Sequence, residues 1–192
     1  ASVIGLLPIF LLSAVTHIIV IGGGIIAHVG HVPAVAAQVR TGYASGMSML
    51  GAVGMTLLFV RAYSLGGGTY TGIEAVSNGL PIMREPKVRT GKRTMLYMAT
   101  SLAFTAGGLI VCYLLWGVGP VDGKTMNAVL VERMVAGMPF GHLFLILTLF
   151  SEGALLLVAA QAGFIDGPRV LANMAVDSWV PHRFAALSER LT

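Results

Sequence analysis

The chemistry this sequence offers is concentrated in one glycine run and two isolated acids. Gly66-Gly67-Gly68 is preceded by Tyr63 and Ser64 and followed by Thr69, Tyr70, Thr71 and Glu74, all within a largely apolar stretch. Three consecutive glycines forfeit helix propensity of about 1 kcal/mol each, so a helix passing through them is expected to unwind there. Unwound backbone exposes carbonyl and N–H groups that hydrocarbon cannot satisfy, and it survives only where it lines a protected or watery cavity. With hydroxyls at the same depth, such a break builds a solute site near a membrane midplane from two half-helices. The plainer alternative is that Gly66, Gly67 and Gly68 allow close helix packing, as small residues do. Packing is the favoured account of Gly22-Gly23-Gly24, which has no acid or hydroxyl beside it.

Glu74 precedes Arg84 by ten residues, about 15 Å of helix, which is half of a hydrocarbon core about 30 Å thick. A carboxylate at that depth costs about 2.5–3.5 kcal/mol, so it is expected to face a cavity or a partner, with Thr71 one turn earlier on the same face. Glu152 follows His142 by ten residues and reaches a similar depth. Two midplane acids can bind a cation, or relay protons where burial favours their neutral form. Either can equally be a hydrogen-bonded structural acid. Arg61 is expected to snorkel toward the surface, and His17 to be a packed residue of a helix interface.

The elements that must carry these groups are membrane helices. Apolar residues make up 56% of the chain and charged ones 10%, against about 25% charged in a soluble domain. Neither residues 1–38 nor 94–121 contain Asp, Glu, Lys or Arg, and each stretch exceeds the roughly 20 residues needed to cross. Four crossings are expected, over 3–27, 47–80, 94–118 and 142–165, as helices because lipid leaves the backbone no other partner. The fold class is therefore all-α and polytopic, with the second helix discontinuous at the glycine run. Arg84, Lys87, Arg89, Lys92 and Arg93 against Glu85 place the connector 81–93 in the cytoplasm. The tail 166–192, with Arg169, Arg183 and Arg190, returns to that side, and Trp179 reads as an interfacial anchor. On the opposite side Met126, Leu130 and Met134 recur at helical spacing, predicting an amphipathic helix over 124–136.

The net charge of +4 therefore reports topology, and nothing separate points to nucleic acid. A signal peptide is a poor account of the first apolar run, which lacks a basic leader and is too long. The chain opens without Met inside that run, so a piece of a longer protein is expected. Cys112 has no cysteine partner and leaves the redox compartment unread.

The run from Ala62 through Tyr63, the three glycines and Thr71-Gly72-Ile73-Glu74-Ala75-Val76-Ser77-Asn78-Gly79, followed by Arg84-Glu85-Pro86, resembles the sixth helix of the amino acid/polyamine/cation (APC) permease superfamily. Its Thr-Gly-Ile-Glu core is most similar to the branch with proton-coupled potassium importers. The run 166–184, with Gly167-Pro168-Arg169, Asn173-Met174-Ala175-Val176-Asp177-Ser178 and Pro181-His182-Arg183-Phe184, resembles the cytoplasmic segment after that family's eighth helix. Val176 stands where the family often has Arg, and Ser178 where it often has Gly. The resemblance implies helices five to eight of a fold with inverted five-helix repeats, and alternating access around a broken sixth helix. It also implies a bacterial cytoplasmic membrane, with the bilayer and the remaining helices of the same transporter as partners. The coupling ion would be a proton or a monovalent cation, with no other cofactor.

Other classes fare worse on the residues. His28, His31 and Glu74 include zinc-binding types, but the histidines fall at the outer end of one helix and the acid in the middle of another. No Walker lysine, serine elbow or cysteine pair occurs, so an enzyme is not expected. A channel or a structural membrane subunit is the remaining alternative class. The expectation is a secondary active transporter driven by protons. An amino acid would present its carboxylate to the freed N–H groups, whereas potassium would take the freed carbonyls with Tyr63, Thr71 and Glu74.

Overall fold

The computed structural model describes residues 2–67, 76–77, 79–80 and 83–186. Gly68, Thr69, Tyr70, Thr71 and Glu74 lie outside the described residues, as does the end of the tail, 187–192. Among the described residues, the helices that carry the fold are α1 (Ser2–His28), α2 (Val32–Gly66), α3 (Lys87–Leu115), α4 (Met126–Val135) and α5 (Gly141–Val176). Short 3-10 turns occupy Val29–His31 and His182–Ala185. Among the described residues there is no strand, only one isolated bridge between Val121 and Lys124.

Among the described residues, three helical stretches are long and apolar enough to cross a membrane: Leu6–Gly66, Lys87–Leu115 and Gly141–Gln161. The first has 61 residues, about 92 Å of helix, some three times a hydrocarbon core. It is interrupted at Val29–His31 and again at Gly51, whose φ of 66° and ψ of 178° only glycine adopts readily. The second of the four expected crossings thus begins inside a helix that starts at Val32, upstream of 47, and its far half falls largely outside the described residues.

α5 also differs from the expected 142–165. It runs through Gly167-Pro168 to Val176 as one helix. Proline removes the hydrogen bond its own N–H would have made and crowds the preceding turn, yet packing beyond it holds the helix together. Ala172 and Ala175 are buried, and α5 packs against the His182–Ala185 turn.

The core lies where α1, α3, α4 and α5 meet, around Val20, Cys112, Leu130 and Val131. Two glycines allow the backbones of α1 and α3 to approach. A Cβ on Gly108 would lie 2.6 Å from Ile21 Cγ2, and one on Gly24 would lie 2.9 Å from Cys112 Sγ. Trp116 Nε1 donates to the Gly24 carbonyl at 3.1 Å across the same contact. Gly22, in the same run, faces open space.

α4 is capped by Thr125, whose hydroxyl accepts from the Ala128 N–H at 3.1 Å. It is not a one-sided surface helix: Ala128, Val129, Leu130 and Val131 are all buried. Arg133 donates to the Trp116 and Gly117 carbonyls at 2.9 and 3.0 Å, which satisfies the end of α3. Lys124 pairs with Glu132 at 2.7 Å on the exposed side.

The chain exposes 14071 Å², against about 8,700 Å² for a folded soluble monomer of 20.1 kDa. Much of the excess is large apolar side chains on α1, α2, α3 and α5. That surface needs lipid or further protein around it.

Candidate functional site

Two regions carry polar groups inside these apolar helices. At the first, α2 ends at Gly66, and Gly67 keeps right-handed backbone with φ −58° and ψ −30°. A Cβ on either glycine would meet no described residue within 4 Å. Tyr63 is exposed and stacks on Phe59 with ring centroids 6.5 Å apart, and Arg61 is exposed as well. The remaining members expected here, Gly68, Thr69, Tyr70, Thr71 and Glu74, are outside the described residues.

The second region is a hydrogen-bonded network joining four helices. His17 on α1 faces Glu152 on α5, with Nε2 and Oε1 3.3 Å apart. Asn127 on α4 donates from Nδ2 to the same Oε1 at 3.1 Å. Tyr113 on α3 donates its hydroxyl to Asn127 Oδ1. On its other side His17 Nδ1 meets the Ser13 carbonyl at 2.7 Å. His17 and Glu152 are largely enclosed, their side chains 14% and 19% exposed.

Local sequence explains why the helices can meet here. Ser13, Thr16, Thr148 and Ser151 are buried at the contact, and small residues let helix backbones approach. Three of their hydroxyls return to their own helices: Thr16 to the Ser13 carbonyl at 3.0 Å, Thr148 to Phe144 at 2.9 Å and Ser151 to Thr148 at 2.8 Å. They fill space without competing for Glu152.

The partners fix protons. A carbonyl only accepts, so Nδ1 of His17 carries hydrogen. One proton between Nε2 and Oε1 gives either imidazolium with carboxylate or imidazole with carboxylic acid. Both forms make the pair neutral overall, which is the condition for burying such groups away from water. Asn127 is oriented by the same logic, its amide N–H toward the acid and its oxygen toward the phenol.

Sequence reasoning put Glu152 at mid-depth but named no partner, and it placed His17 at a helix interface without the acid. The signal was present: His17 is the sole titratable residue of 1–27, and Glu152 of 143–165. Two lone titratable groups in separate apolar helices are candidates to pair.

His28 and His31 lie apart from this network. The His28 ring is 3.9 Å from Trp116 and 5.1 Å from His31, centroid to centroid. Among the described residues no three His, Cys, Asp or Glu side chains are grouped as metal ligands.

An all-helical chain with membrane-length apolar helices and a polar network enclosed between them points to an integral membrane protein, and comparison supports a transporter family. Over 140 residues, 72% of its length, the chain is 31% identical to the potassium transporter KimA of Bacillus subtilis (strain 168). It spans about 22% of the length of that relative. No protein-family model matches the chain, and no solved structure matches it.

Proposed function

We propose that this chain is a membrane-embedded portion of a secondary active transporter that carries potassium and is driven by protons. The observation that carries the reading is the His17–Glu152–Asn127–Tyr113 network enclosed between membrane-length helices, in a chain similar to a potassium transporter. Ionisable groups inside membrane helices pair with one another and mark ion and proton pathways.

In this reading the cation site is the glycine break. Backbone carbonyls of the glycine run, with oxygens of Tyr63, Thr69, Tyr70 and Thr71, replace the hydration shell of the ion. Glu74 supplies the balancing charge. The chain takes the place of helices five to eight of an APC-type inverted repeat, with 81–93 and 166–192 on the cytoplasmic side of a bacterial inner membrane. Alternating access opens the site to each side in turn.

The test is potassium binding and uptake by the full-length protein in proteoliposomes. Glu74→Gln removes the charge with little change of shape. It should raise the half-saturating potassium concentration by about tenfold to a hundredfold, or about 1.4–2.8 kcal/mol. Unchanged potassium dependence in a folded variant would remove Glu74 from the site.

A further inference from the structure

The reading above leaves the coupling proton without an address, and the second polar region has the features of one. The pair joins the first and last of the long helices, α1 and α5. Its single shared proton decides whether the contact attracts. With it, the pair is a neutral hydrogen-bonded unit. Without it, the Nε2 lone pair faces a carboxylate at 3.3 Å, and the contact no longer attracts.

A route to the pair is also present. A cavity of about 230 Å³ lies beside it, bounded by Ser13 and His17 of α1, Ser101 and Thr105 of α3, and Leu155 of α5. That is room for several waters at about 30 Å³ each; the hydroxyls of Ser13, Ser101 and Thr105 reach it among the apolar side chains of Phe10, Ala14, Ile18, Phe104 and Leu155. His17 thus stands between the cavity on one side and Glu152 on the other.

The surrounding groups leave the proton to this pair. From α3 the neighbours are Tyr113, which donates to Asn127, and Cys112, whose thiol points to the Val20 and Ile21 carbonyls. From α4 the neighbour is the neutral Asn127, while Glu132 and Arg133 are engaged with Lys124 and with the carbonyls ending α3. On α5 the other titratable side chain near the outer end, His142, is exposed.

We infer that His17 and Glu152 form the proton-binding site of this transporter, a latch between α1 and α5 that is loaded and emptied through the adjoining cavity. The inference rests on the proton-driven reading above and assigns the proton to a different place from the potassium ion. Loading puts one proton between Nε2 and Oε1; unloading returns it to water in the cavity, leaving neutral imidazole and carboxylate. Asn127 is a positioning residue, which holds Oε1 toward His17 and ties α4 to the latch.

The experiment compares two fluxes of the full-length protein in proteoliposomes: potassium counterflow, which needs no net proton movement, and potassium accumulation driven by an imposed proton gradient. In Glu152→Gln and His17→Gln the ratio of driven accumulation to counterflow should fall about tenfold or more, and its pH dependence should flatten. Ser101→Cys tests the route without touching the pair. Attaching a bulky thiol reagent should lower the same ratio, with the unmodified protein as control for Cys112. A wild-type pH profile in the glutamine variants, or an unchanged ratio in labelled Ser101→Cys, would overturn the assignment. Counterflow and accumulation falling in parallel would also overturn it, in favour of a structural pair. Wild-type flux with no response to the proton gradient, or no flux at all, would fail the transporter reading itself.

Discussion

The chain contains two kinds of helix, and the contrast between them is informative. α1, α3, α4 and α5 are tied to one another by a buried core and by polar bonds that cross between helices. α2 has as many apolar residues to offer but buries none, and it meets the rest of the chain chiefly at the Val29–His31 turn and α3. A largely apolar helix that the described residues leave exposed belongs against lipid or against further protein. The packed bundle therefore builds its polar site internally, while the glycine-ended helix builds none with the residues described here. This is the physical reason for assigning the proton to the bundle and the ion to the region around Glu74.

Substitutions can break this contrast, and unfolding of the protein in detergent reads them. The largest effect should come from Leu130, fully buried in the bundle. Leu130→Ala should destabilise by about 2–5 kcal/mol. Next is Gly108→Val, whose Cβ would press on Ile21 Cγ2 at a cost of about 1–3 kcal/mol. Thr125→Ala removes the α4 cap and should cost about 1 kcal/mol. Phe59→Ala, on exposed α2, should change stability by about 0.5 kcal/mol or less in this chain. A loss of about 2 kcal/mol or more for that variant in the full-length protein would show that another segment covers this face of α2.

Much of the architecture was legible because hydropathy is a local signal. Charge-free stretches long enough to cross a bilayer announce helices whatever their neighbours do, and the helix at 124–136 showed in its spacing. Its burial did not show, because the residues that enclose Leu130 come from distant parts of the chain. The continuation of α5 beyond 165 and through Pro168 did not show for a related reason. The local penalty is visible in sequence, whereas the packing of Ala172 and Ala175 that offsets it is not.

The site was legible in halves. Depth alone singled out Glu152, since an acid between apolar residues is costly wherever it lies. Its partner His17 is far away in sequence, and no periodicity links them. The run from Tyr63 to Glu74 was the strongest local signal, yet its meaning depends on residues beyond the described part and on packing that α2 does not receive here.

The central claim is proton-driven potassium movement, and one flux measurement meets it directly. Proteoliposomes holding the full-length protein should accumulate radioactive rubidium, as a potassium tracer, when the outside is made acidic, and should lose that accumulation when a protonophore collapses the gradient. Tracer entry that is the same with and without the gradient, or absent under both conditions, would contradict the account.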